Sequence, residues 1–108
     1  MARFEAYEPA DAEARGIDSE EAEARFGKVS RERYRQACAF DAPPRTRYSR
    51  ARAFDAINRA CDALAARGIP AEAGTVVAFP RPDGRRDAFC IESVGYTEIP
   101  GFSEPRGD

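Results

Sequence analysis

The side chains with most chemical potential in this 108-residue chain are arginines. Arg45, Arg47, Arg50 and Arg52 crowd the entrance to an apolar-periodic stretch, Arg31 and Arg35 stand four apart ahead of it, and Arg81, Arg85 and Arg86 surround a turn beyond it. A guanidinium is a planar fork of donors that matches carboxylates and phosphates, so the chemistry on offer is anion binding. Histidine is absent. That removes the commonest general base, the Ser-His-Asp and Cys-His arrangements and most transition-metal sites. Two carboxylate pairs, Glu20 with Glu21 and Asp83 with Asp87, stand where helix capping and turn chemistry already account for them. Neither a P-loop nor a G-x-G-x-x-G run occurs. We therefore expect no catalytic residue, cofactor or metal, and read the chain as something other than an enzyme.

The arginines belong to a block pattern of charge that the total of −2 conceals. Residues 1–24 carry eight acids against Arg3 and Arg15, residues 25–59 carry ten bases against three acids, and the remainder is mildly acidic. Glu13, Glu20, Glu21 and Glu23 could form an acidic face. Opposed blocks of this kind indicate a charged partner or neutralisation within the fold.

At this length one domain is expected over residues 1–108, with the acidic segment 1–24 and the tail 101–108 expected to be mobile. Of the hydrophobic residues 21 are alanine and one is leucine, so the core rests on Phe, Tyr, Ile and Val. A core this thin makes a homodimer plausible, since burial between subunits would supplement it. Cys38, Cys61 and Cys90 are widely spaced and odd in number, which reads as buried thiols in a reducing cytoplasm. No stretch approaches the roughly 20 apolar residues of a membrane span.

The elements that must position these groups follow from periodicity and punctuation. Arg3–Tyr7 reads as a short strand, Asp11–Arg15 as a helical turn, and Ser19–Phe26 as an acidic helix with Asp18 and Glu21 in a capping box and Gly27 as its stop. Ser30 is placed to cap a second helix through Tyr34, Ala37 and Cys38 to about Phe40, ended by the Asp41–Pro44 loop. A long central helix spans about 48–67. Its stripe is Phe54, Ile57, Cys61, Leu64 and Ala65, and Gly68 and Pro70 end it. Strand-like runs at about 75–79 and 88–94 flank a turn and form a hairpin. Together these predict an α+β fold, three helices on a small antiparallel sheet dominated by that C-terminal hairpin.

On a helical wheel Arg52 and Arg59 lie opposite Phe54, with Arg59 in reach of Asp55 and Asp62, as a solvated face would have it. Arg47 and Arg50 fall on the side of Phe54 and mark the helix entrance as anion-facing, a preference the helix dipole shares. Arg31 and Arg35 on one helical face would repel by roughly 0.2–0.5 kcal/mol. The compensating charge would be the acidic block in cis, a nucleic-acid backbone or an acidic patch on a protein.

Two functions from different classes follow. One is a non-enzymatic inhibitor or adaptor that binds a protein or a protein/nucleic-acid machine through opposed acidic and basic faces, where charge supplies steering and specificity. Small acidic inhibitors encoded by phages and mobile elements, anti-CRISPR proteins among them, share this profile. The other is a nucleic-acid-binding regulator using Arg31, Arg35, Arg47 and Arg50 on phosphates, although a pI near 5.3 is low for a simple DNA binder.

Overall fold

The computed structural model describes residues 2–42, 50–80 and 85–102. Five strands form one antiparallel sheet in the order β2-β1-β3-β4-β5, with β1 at Ala2–Pro9, β2 at Tyr34–Ala42, β3 at Val76–Pro80, β4 at Arg86–Ile91 and β5 at Tyr96–Glu98. Two α-helices accompany them among the described residues, α1 at Ser19–Phe26 and α2 at Arg50–Ala66, together with short 3-10 turns at Ala12–Ala14 and Arg31–Arg33. The α+β class, the long helix and the hairpin agree with expectation. The three-helix count does not.

The helix expected from Ser30 to Phe40 is a 3-10 turn followed by the edge strand β2. The reason lies in the pairing of β2 with β1. Ala6 pairs with Cys38 but Tyr7 pairs with Gln36, so Ala37 is an extra residue, a β-bulge. A bulge exchanges the two faces of a strand. Cys38 and Phe40 therefore face one side of the sheet and Tyr34 the other. Read along the chain, Tyr34, Ala37 and Cys38 acquire the three-and-four spacing of a helix without forming one.

The sheet is also larger than a hairpin with additions. β1, from the acidic segment, runs between β2 and β3 and pairs with β2 along its whole length. One face of the sheet carries an aromatic row with a ring from every strand, Phe40, Phe4, Phe79, Phe89 and Tyr96 in spatial order. Successive centroids are 5.3, 5.9, 5.8 and 5.4 Å apart. Offset and edge-on pairs at such distances each contribute about 0.5–1.5 kcal/mol beyond the area they bury.

Helix α2 packs on this face through Ala56, Ile57, Ala60 and Leu64. Because the sheet supplies the bulk, alanines suffice on the helix and let it approach closely. The stripe is thereby rotated from the expected one. Ile57 and Leu64 are buried and Cys61 is half-buried, but Phe54 is 60% exposed and Ala65 is exposed too.

The opposite face holds Tyr7, Tyr34, Val76, Ala78, Ala88 and Cys90. It is closed by the segment after β5. Ile99 N–H donates to the Ala88 carbonyl at 2.8 Å, and Phe102 meets the rings of Tyr7 and Tyr34 edge-on. Gly74 joins this layer to the residues around the first 3-10 turn. Its φ is +95°, and a Cβ there would stand 3.4 Å from the carbonyl oxygens of Ala14 and Ile17, so both backbone conformation and space call for glycine. No helix among the described residues is long and apolar enough to cross a membrane.

Candidate interaction surface

The N-terminal acids divide into two groups once the chain is folded. Glu8, on β1, receives Arg35 Nη2 at 2.6 Å and lies 3.7 Å from Arg15. Glu5 receives Arg86 Nη2 at 2.7 Å, and the same Nη2 donates to the Arg3 carbonyl at 3.1 Å. Part of the acidic block is thus matched in cis by bases from β2 and β4. Glu13, Glu20 and Glu23 stay exposed, as does Glu21, which pairs with Arg25 at 3.0 Å one helical turn away.

Helix α1 is held by its start. Asp18 makes no capping bond of its own; instead its carboxylate accepts from Ser93 N–H at 2.6 Å and Ser93 Oγ at 2.7 Å in the β4–β5 turn. These bonds favour the ionised form and hold the Asp18 carboxyl below its ordinary range. The capping function passes to Glu92, which accepts from Ser19 N–H at 3.0 Å. The expected capping box is therefore replaced by a long-range one, which no local spacing encodes. Gly27, at φ +90°, stops the helix as expected.

Beyond Gly27 the chain becomes basic. Arg31 and Arg35 do not share a helix face, because residues 34–42 form a strand. Arg31 lies with its guanidinium carbon 4.3 Å from the centroid of Tyr7, and its Nη1 donates to the Tyr34 carbonyl at 3.0 Å. Arg33 lies 5.6 Å from the centroid of Phe26. A cation over an aromatic face gains about 0.5–1 kcal/mol at exposed sites, and its side chain is oriented before anything binds. Lys28 is exposed alongside them.

These residues border two adjoining depressions. A notch of about 30 Å³ is walled by Pro9, Ala14, Ala22, Phe26, Val29 and Tyr34 with Asp11 and Arg33. A cleft of about 590 Å³ lies between residues 28–33 and Pro100–Phe102, and shares Val29 and Arg33 with the notch. Its charged lining is Lys28, Arg31 and Arg33 against Glu32, which receives Ser30 Oγ at 3.3 Å. Among the described residues no ion pair joins Glu20 or Glu23 of α1 to this basic rim.

The other arginines singled out in the sequence do not line these depressions as far as they are described. Arg45, Arg47 and Arg81 fall outside the described residues, and Arg50 and Arg52 lie in the first turn of α2. Arg85 is exposed just before β4. Arg86 is half-buried on β4 and engaged with Glu5. Arg59 pairs with Asp55 at 2.8 Å, the solvated i,i+4 contact its spacing indicated. Lys28, Arg33 and the two rings are not singled out individually by residue type or spacing. The run Lys28–Arg33 after Gly27 carried a local signal, four bases and acids in six residues beside a helix stop. The Tyr7–Arg31 contact carried none, since it spans 24 residues and depends on the β1–β2 register.

Groups suited to covalent chemistry are subdued among the described residues. Burial pushes the Cys90 thiol up to about 12, with the nearby Glu92 charge adding to it, and burial raises Cys38 and Cys61 as well. All three cysteines are free thiols, and thiols held protonated are poor nucleophiles. No three Cys, Asp or Glu side chains converge on a point among the described residues. Compared with known proteins, the chain matches no family model, no curated protein and no solved structure.

Proposed function

We propose that the chain is a non-enzymatic protein-interaction module, an inhibitor or adaptor that binds a protein or a protein/nucleic-acid machine through its acidic and basic faces. One observation carries this reading. The exposed Glu20 and Glu23 of α1 and the cations Lys28, Arg31 and Arg33 lie on either side of Gly27, and no ion pair joins the two groups among the described residues. Charge left unmatched on a folded surface costs solubility nothing and supplies orientation and partner choice. The phage and mobile-element inhibitors that share this charge profile belong to the same functional class.

The nucleic-acid alternative drew in part on Arg31 and Arg35 sharing one face of a Ser30–Phe40 helix, and those residues form a 3-10 turn and a strand instead. Arg35, one of its phosphate contacts, is engaged by Glu8, and Arg47 lies outside the described residues. Titration of random duplex and single-stranded nucleic acid over a salt series tests the point. Absence of binding at low salt supports the interaction module. Micromolar affinity that falls steeply with salt overturns it in favour of a regulator.

A further inference from the structure

We infer that the notch and the basic cleft together form a docking site for an acidic peptide segment carrying one aliphatic anchor residue. The inference rests on the interaction reading above and names the partner's chemistry. The notch has a mainly apolar wall, and about 30 Å³ of room is space for about two waters or the branched end of one aliphatic side chain. A peptide anchored there would run into the cleft, because Val29 and Arg33 line both.

What it meets next is cationic. Lys28, Arg31 and Arg33 line the cleft, and among the described residues Glu32 is its only acid. Arg31 engages one Nη1 donor with the Tyr34 carbonyl, which leaves other donors of its fork for a carboxylate. Since Tyr7 and Phe26 already orient Arg31 and Arg33, binding freezes little further rotamer freedom. The requirement is thus an aliphatic side chain flanked by Asp or Glu.

A nucleic acid would satisfy the cations but suits the site poorly. It offers no aliphatic anchor, and a long polyanion crossing the cleft would approach the exposed Glu20 and Glu23 on neighbouring α1. Like charges at an interface oppose such a partner, whereas a short acidic segment is confined to the basic rim.

The test is selection from a random-peptide display library on the immobilised chain, followed by anisotropy titration of the enriched peptides. Wild type is compared with Arg33→Glu and Lys28→Glu, both at accessible positions, and with Ala22→Leu, which fills the notch; thermal melts establish that each variant is folded. We expect enriched peptides with an aliphatic residue flanked by acids, affinity weakened about ten-fold or more by Arg33→Glu, and weakening by Ala22→Leu. Should Ala22→Leu not fold, replacement of the peptide's aliphatic residue by Ser must produce the same weakening. No enrichment, enriched peptides lacking acids, or affinity unaffected by both charge reversals would overturn the inference. Peptides that bind at another surface would sink this site while leaving the broader interaction reading standing.

Discussion

Glu8 and Arg35 face each other across β1 and β2, with Arg35 Nη2 2.6 Å from the carboxylate. An acid of the N-terminal block thereby meets a base of the following block in cross-strand register, and the neighbouring Arg15 adds a weaker contact at 3.7 Å. Arg35 is well exposed, so solvent screens the pair and the contribution stays below about 1 kcal/mol. Glu8→Gln should lower the urea midpoint slightly at low salt and hardly at all at high salt. An equal effect at both salt concentrations would show that Glu8 acts by packing.

The aromatic row is the main support of the sheet face under α2. Phe79 stands at its centre, fully buried and stacked on both Phe4 and Phe89. Phe79→Ala should cost about 3–5 kcal/mol, a large share of the roughly 5–15 kcal/mol that holds a small domain together. Far-UV circular dichroism melts should show a largely unfolded or strongly destabilised variant, with Phe79→Leu retaining the fold. A melting temperature near wild type for Phe79→Ala would contradict this account of the core.

Helix α2 offers a contrast between two positions of its expected stripe. Phe54 is 60% exposed and Leu64 is 1% exposed. Phe54→Ser should change stability by less than about 0.5 kcal/mol, whereas Leu64→Ala should cost about 2–5 kcal/mol. Denaturant titration of both variants decides whether α2 turns Phe54 toward solvent and Leu64 toward the sheet.

That contrast shows how far the sequence could be read. The C-terminal end of α2 was legible because its glycine cap and its periodicity are local, and so was the β3–β4 hairpin. The rotation of α2 was not, because it depends on phenylalanines that four strands contribute to the facing sheet. β2 was misread because the bulge at Ala37 imposes helical spacing on a strand. The charge blocks were visible, but which acids are matched depends on the register of β1 with β2 and on Arg86 reaching Glu5. Lys28 and Arg33 were present as a local basic run. Their significance required Tyr7 and Phe26 to be placed beside it.

Alkali should weaken the layer containing Cys90 and Tyr34. Burial, followed by the Glu92 charge, lifts the Cys90 thiol from an ordinary 9.0 to about 12. Burial, followed by the Cys90 charge, lifts the Tyr34 hydroxyl from 10.0 to about 12. Between those values the unfolded chain releases protons that the folded chain retains. The stabilisation is therefore complete below about pH 9 and is lost as pH rises toward about 12, by up to about 1.4 kcal/mol per pH unit for each group. Urea midpoints should fall over this window, and Cys90→Ala should flatten the early part of the fall. A midpoint independent of pH across the same window would contradict the burial of both groups.

We propose that the surfaces on either side of Gly27 bind a protein. Affinity capture from a lysate of the cells that produce the chain tests it most directly. Wild type is compared with two folded charge-reversal variants, Lys28→Glu with Arg33→Glu, and Glu20→Lys with Glu23→Lys. A protein retained by wild type and lost from at least one of them is expected. Retention of the same proteins by all three, or of none by wild type, would contradict it.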